Sequence, residues 1–446
     1  MALSKLTYAS TYGNASSILP LAYRQPPNLQ AMQQHKITEQ DHDTAWLQVL
    51  MAHLLIFNTW GYINSFSVFE QYYEEILDVP PSQIAWVGSL QVFFTFFLGA
   101  FSGRILDAGW WRVLLVLGPA FQLTGIVLSS FATEYWQLLL VQGFVQGIGD
   151  GMLFCPALAI ISTYFRKKRG LAIALAGCGV ATGGITLPML IQQLSPKIGF
   201  PWTMRVMGLV VLVNSCAVNI YSRPRVMEVG PDRRKGEFFD FKLFKEVRYS
   251  LFSGAVLSVF LGLFIAYFYN GSFARVVLQV SLSKSWTILI MLNGVGIPGR
   301  IIPALLADTW VGPVRMLTVV TFSSAVLLFF WMLVIDLNGF IPFVICYGGI
   351  SAGIQSLFPA AIATLTNEPA RRGVQMGMIF SIAGVGSLAG PPIAGRLIEL
   401  NDGSFVNAQV FAGTTMMVGS LMLIIEQWMK FTASRKPGPL STVEMT

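Results

Sequence analysis

The chain has 446 residues, 54% of them hydrophobic and 11% charged, with a mean hydropathy of +0.62. Soluble domains carry about 25% charged residues, and disordered chains combine low hydrophobicity with high charge, so both classes are excluded. The formal net charge of +7 would suggest nucleic acid in a soluble protein, but here it sits in the connections between apolar runs, where membrane topology puts it.

Residues 1–45 are polar, lack a charged-then-apolar leader and read as a cytoplasmic tail. Twelve apolar runs follow, each about the 20 residues a bilayer crossing needs: 46–69, 83–103, 112–132, 136–164, 170–193, 202–222, 248–269, 285–307, 315–336, 340–366, 373–397 and 405–429. The basic stretch 223–247 is the one long connection, which divides a six-helix half at 46–222 from another at 248–429 and leaves a tail at 430–446. With the N-terminus inside, 23 of the 29 Lys and Arg fall on the inner side and five on the outer side. That asymmetry places both termini in the cytoplasm.

In chain order, span one carries His53, a candidate proton relay, then Asn58, Trp60, Tyr62 and Asn64, polar and aromatic groups suited to an organic ligand. Spans two and three are joined by Gly103-Arg104-Ile105-Leu106-Asp107 and Arg112. Asp107 there can cap a helix or pair across the two halves as an inner latch. Glycines recur every four residues at Gly143, Gly147 and Gly151, at Gly179 and Gly183, at Gly349 and Gly353, and at Gly386 and Gly390. Such stripes let helix backbones approach closely, for packing or for sliding during gating.

Asp150 lies about 21 Å into span four and Arg300 about 22 Å into span eight, at 1.5 Å per residue. Charges at that depth must face protein or a water-filled cavity. Arg300 is the expected contact for an anionic substrate. Asp150 is a candidate for substrate or proton handling, for a state-dependent pair with Arg300, or for a static role in helix packing. Asn293 and Tyr347, with Gln355, supply polar groups in the second half. The basic cluster around Lys167 and the acidic Asp308 complete the gating set with Gly103, Asp107 and Arg112.

The two halves repeat. An offset of 203 maps Arg112 to Arg315, Pro156 to Pro359, Gly170 to Gly373, Gly183 to Gly386 and Pro188 to Pro391, and Asp107 maps to Asp308 at 201. A repeat of six helices keeps the same orientation in both copies. The expected fold is therefore an all-α membrane protein of twelve transmembrane helices in two parallel six-helix halves, the major facilitator architecture, with its site between the halves near mid-membrane.

Other chemistries find no support. Gly294-Val-Gly296-Ile-Pro-Gly299 matches GxGxxG but lies in an apolar span with no preceding strand, and no GxxxxGK[ST] or GxSxG occurs. The three His have no metal-ligand spacing, and the four Cys (Cys155, Cys178, Cys216, Cys346) lie in apolar runs without CxxC. No catalytic role, metal, cofactor or nucleic-acid partner is expected. Asn14 and Asn270 open glycosylation triplets, one expected inside and one against the membrane, so both read as unmodified.

Several runs resemble the monocarboxylate-porter family of the major facilitator superfamily, in its fungal branch. Tyr164-Phe165-Arg166-Lys167-Lys168-Arg169-Gly170-Leu171-Ala172-Ile173-Ala174-Leu175-Ala176-Gly177 resembles the family's span-five signature. Phe57-Asn58-Thr59-Trp60-Gly61-Tyr62-Ile63-Asn64-Ser65-Phe66 and Ser82-Gln83-Ile84-Ala85-Trp86-Val87-Gly88-Ser89-Leu90-Gln91 resemble its first two spans. Gly299-Arg300 resembles the site where the family places an arginine for a substrate carboxylate. The resemblance departs at Asn64, where animal members carry a proton-coupling lysine, and at Gly296, where they carry an aspartate. It implies a fungal exporter of a secondary metabolite, a small organic compound larger or less acidic than lactate and expected to be anionic, moved by alternating access in the plasma membrane by a monomer, with protons as a candidate coupling ion. An uptake permease for a monocarboxylate or vitamin, and a membrane sensor that does not transport, are the alternatives.

Overall fold

The computed structural model describes residues 44–107, 110–165, 169–223, 240–365 and 372–435. Among them every regular element is helical, and twelve long helices follow one another. α1 covers 44–77, interrupted by a π-helical turn at Phe57–Gly61 and resumed as Phe66–Leu77. α2 is Pro81–Asp107, α3 Trp111–Ser129, α4 135–164, α5 169–198 and α6 Phe200–Tyr221. α7 is Val247–Val276, α8 Leu282–Val311, α9 Pro313–Trp331, α10 Leu337–Ile362, α11 Arg372–Glu399 and α12 Val406–Arg435. Eleven of these, α2 to α12, contain a stretch long and apolar enough to cross a membrane, and α1 is the interrupted twelfth. In lipid every backbone N–H and C=O must be satisfied within the segment, which is why the apolar runs become helices.

Several helices outrun their apolar segments. α1 reaches Leu77 and α7 reaches Val276, beyond the expected limits of 69 and 269. Their polar end residues pack on a neighbouring helix instead of facing lipid, so the helix has no reason to stop at the apolar boundary.

The helix contacts repeat after six helices. α1 packs on α5, α2 on α4, and α3 on α4 and α6; in the same way α7 packs on α11, α8 on α10, and α9 on α10 and α12. This is the expected pair of parallel six-helix halves. The halves meet along α2 with α11, α5 with α8, and the later parts of α1 and α7. Apolar side chains such as Leu209, Val213, Ile220 and Trp428 point outward, more than half exposed, as a lipid-facing surface requires.

The glycine stripes serve packing inside each half. Gly143, Gly147 and Gly151 lie against α2, and Gly179 and Gly183 against α1; Gly353 lies against α8, and Gly386 and Gly390 against α7. Two further glycines make the sharp turns: Gly199 (φ +77°) joins α5 to α6 and Gly312 (φ +86°) joins α8 to α9. Each precedes a proline in the first turn of the next helix, where the missing N–H costs nothing.

Candidate functional site

A cavity lies between the two halves. Its wall comes from α1 (Ile56, Trp60), α2 (Phe96), α4 (Phe154, Leu158), α5 (Ile173, Gly177, Val180), α7 (Phe260), α8 (Arg300) and α10 (Gln355, Ser356, Phe358, Pro359). Three of these helices are irregular beside it: α1 carries its π turn at Phe57–Gly61, α5 breaks at Cys178 and α8 breaks at Val295. The α1 turn sits close because Gly61 and Gly183 face each other; a Cβ on Gly61 would lie 2.6 Å from the Gly183 Cα. Trp60 is thereby packed edge-on to Phe154 at 5.2 Å and beside Phe96 at 4.9 Å, while Phe96 meets Phe260 at 5.3 Å. The wall is mostly aromatic.

Arg300 is the charged group of this wall and is 1% exposed. Its Nη1 donates to the Gly296 carbonyl at 3.1 Å and its Nη2 to Gln355 Oε1 at 3.1 Å. Both acceptors are neutral, and among the described residues no carboxylate forms an ion pair with it. Glycine at 296 makes this rotamer possible, since a Cβ there would lie 2.5 Å from Nη1. Gly299 is equally constrained, because its Cβ would lie 1.9 Å from the Gly349 carbonyl oxygen of α10. Three buried donors on the cavity wall, Trp60 Nε1, Arg300 Nε and Gln355 Nε2, have no hydrogen-bond acceptor among the described residues. Buried donors are ordinarily paired, so these three set the cavity wall apart from the rest of the interior.

The other expected substrate contacts lie elsewhere. Asp150 is fully buried in the first half, held by Gln91 Nε2 at 2.7 Å and Gln122 Nε2 at 2.6 Å. Gln122 also donates to the Asn58 carbonyl at 2.9 Å. Asp150 thus binds α2 and α3, and no ion pair joins it to Arg300. Asn58 points into α6, donating to the Val211 carbonyl and Ser215 and accepting from Asn214. Tyr347 donates to the Leu263 carbonyl inside the second half. None of the three lines the cavity, because a polar group on a crossing helix meets the nearest buried carbonyl or amide first. Asn64 and Asn293 do come together: Asn64 Nδ2 donates to Asn293 Oδ1 at 3.3 Å, a bridge between α1 and α8 outside the cavity wall. His53 joins α1 to α5. Its Nδ1 lies 3.0 Å from the Leu175 carbonyl and its Nε2 2.9 Å from Thr182 Oγ1. A carbonyl only accepts, so Nδ1 carries a hydrogen toward Leu175, while the Thr182 hydroxyl also lies 3.2 Å from the Gly179 carbonyl.

Of the expected gating residues, Asp308 at the basic end of α8 has its carboxylate packed against Gly170, at the start of α5. This is a helix N-terminus met by an acidic side chain from the opposite half. Arg112 lies over its neighbour Trp111 at 5.2 Å from the ring centre. Gly103 has open space where a Cβ would be. Asp107 ends α2, and its side chain and Lys167 lie outside the described residues. The residues missed in the sequence are the four phenylalanines of the wall, indistinguishable among 33 Phe without knowing which helices meet.

At the end opposite the basic connections the halves are sewn together. The Gly271 N–H donates to Ser67 at 3.2 Å, Ser285 and Trp286 each donate to Gln71 at 3.1 Å, and Gln192 donates to Ser283 at 2.8 Å. The Ser82 N–H donates to Glu399 at 3.0 Å, and Arg275 lies 3.5 Å from Glu75.

Two equivalent helical halves around a central cavity are the architecture of a membrane transporter that works by alternating access. Residues 50–391 match the Major Facilitator Superfamily, to which the chain belongs. It is 39% identical to an MFS-type transporter of Gibberella zeae, over 85% of this chain and 86% of that one. It is 31% identical to the aspyridones efflux protein apdF of Emericella nidulans, over 88% of this chain and 79% of that one. The solved structure of the human organic anion transporter MFSD10 (TETRAN) shares the fold, with a TM-score of 0.61 at 15% identity, over 90% of this chain and 100% of that one.

Proposed function

We propose that the protein exports a secondary metabolite, an organic anion with an apolar, ring-bearing body, from the cytoplasm across the plasma membrane. The observation that carries the anion is Arg300, a buried cation whose protein partners are two neutral oxygens. An anionic oxygen in the cavity would meet the free Arg300 Nε, Gln355 Nε2 and Trp60 Nε1, while Phe96, Phe154, Phe260 and Phe358 would receive the apolar part. Export is the direction in the printed name of the aspyridones efflux protein, and the branch resemblance to monocarboxylate porters points to a carboxylate. The Lys and Arg asymmetry places the basic end, with both termini, in the cytoplasm. The sewn end is then outer, while the inner end carries its own contact between the halves, Asp308 against Gly170. The functional unit in this reading is a monomer, since each chain contains both halves of the site.

The test is metabolite profiling of cells and medium with the gene deleted, then restored as wild type or as Arg300→Ala. An acidic compound that accumulates in deleted cells, fades from the medium, and is not restored by Arg300→Ala is the expected result. A compound left unused in the medium and scarce in the cells would reverse the direction. Full restoration by Arg300→Ala would remove the anion site.

A further inference from the structure

The seam that closes the outer end contains a fully buried carboxylate, Glu70, with no hydrogen-bond partner among the described residues. Glu399 accepts from the Ser82 N–H and from Arg396, and Glu75 lies by Arg275. Glu74 also feels Arg275. Glu70, one turn below Glu74 on α1, is fully buried, and neither of its oxygens has a hydrogen-bond partner among the described residues. Its surroundings add no cation. On its own helix the nearest charge is Glu74. From α7 it is faced by Tyr269, which also feels Glu74 and Glu399 and whose hydroxyl is already donated to the Pro391 carbonyl of α11. The outer half of α2 has no ionisable residue. The interface around it is tight, since a Cβ on Gly395 of α11 would lie 2.3 Å from the Tyr269 hydroxyl and 2.8 Å from the Ser82 Cα.

An ionised carboxylate sealed without donors or a counter-charge pays a desolvation cost that protonation removes. Water would reach the same side chain once the seam between α1 and α7 parts, and would solvate the ionised form. We propose that Glu70 is a proton-binding site of the outer gate: the seam closes on the neutral carboxyl and opens with its ionisation. The proton comes from the outside medium while the seam is open and returns to it when the seam opens again. In a carrier that releases its cargo outside, as the export reading has it, acid outside would then favour the closed, loading state of the empty and the loaded protein alike. The closed state holds one more proton than the open state, so low pH favours closure. Above the ionisation of the exposed group, the open-to-closed ratio rises by up to about tenfold per pH unit for one proton.

The experiment needs no substrate. The full chain, with the exposed Cys216 and Cys346 replaced by alanine and with Thr133→Cys and Ile335→Cys introduced, is spin-labelled in lipid nanodiscs. Both labels sit on outer connections of opposite halves, and their separation is measured by pulsed electron resonance between pH 5 and pH 9. The separation is expected to lengthen as pH rises in the unmodified gate, to stay short at every pH in Glu70→Gln, and to regain its pH response in Glu70→Asp. An unchanged pH response in Glu70→Gln, or no response in the unmodified gate, overturns the proposal. Because no anion is added, failure here leaves the Arg300 reading standing, and failure of the deletion experiment leaves this one standing.

Discussion

Asp150 and Arg300 are both fully buried charges at similar depth in opposite halves, yet their surroundings differ. Asp150 receives one amide hydrogen on each oxygen from Gln91 and Gln122, and those glutamines tie α4 to α2 and α3. Arg300 meets only two neutral carbonyl-type oxygens and keeps its Nε unpaired on a cavity wall. A buried charge whose bonds are complete acts as a tie between helices. A buried charge left incomplete beside open space is available for something that arrives. Depth alone would give both the same role, and the hydrogen-bond partners separate them.

The comparison can be broken most directly at Arg300. Arg300→Ala is expected to cut export of the metabolite by at least about 30-fold, as truncating one member of a buried charge pair costs about 2–5 kcal/mol, while the protein remains folded in detergent. Arg300→Lys should fall between, because an ammonium cannot span both the Gly296 carbonyl and Gln355 as the guanidinium fork does. Restoration of export in the deleted strain measures both. Next comes the backbone contact that positions the arginine. Gly299→Ala must push α8 away from Gly349, with an expected loss of about 1–3 kcal/mol as in other overpacked sites, read as a lowered unfolding temperature.

The other side of the comparison is tested at Asp150. Asp150→Ala takes one acceptor from each of the buried Gln91 and Gln122 amides, the second keeping only its bond to Asn58, and is expected to cost about 1–3 kcal/mol for each hydrogen left unsatisfied, again visible in thermal unfolding and in the amount of folded protein. Asp150→Asn should be far milder. Gln91 and Gln122 each hold an unpaired side-chain oxygen, so rotating one amide offers the introduced NH₂ an acceptor. Transport by Asp150→Asn is expected to stay close to wild type at every pH; loss of transport, or of its pH dependence, with a folded protein would return Asp150 to the mechanism. The smallest effect is expected for Trp60→Phe, which keeps a ring in the wall and removes one donor. A loss of about fivefold in export corresponds to about 1 kcal/mol, the worth of one hydrogen bond.

Much of this was legible along the chain because the bilayer makes simple demands. The apolar runs, the offset repeat and Arg300 at mid-span all follow from hydropathy and one buried charge. The glycine stripes were visible as spacing, but spacing does not name the facing helix, and Gly143, Gly183, Gly353 and Gly390 turned out to pack within their own halves. The polar residues of the first span show the same limit. Asn58 and Asn64 stand six positions apart on α1, yet one is consumed by α6 and the other by Asn293 of α8. The interruption of α1 between them changes which way each position faces, and no periodic reading of an unbroken helix anticipates it.

Composition and order alone settled that the chain crosses a membrane as helices, that it does so in two equivalent halves, and that one cation lies too deep to reach water. Those properties depend on transfer of side chains and backbone from water to lipid, which each segment undergoes by itself. Which charges are satisfied, which aromatics surround Arg300 and which carboxylate of the sewn seam has no partner among the described residues were decided only when the helices packed. Hydrogen bonds and desolvation depend on neighbours drawn from distant parts of the chain, and those neighbours are set by the tertiary structure.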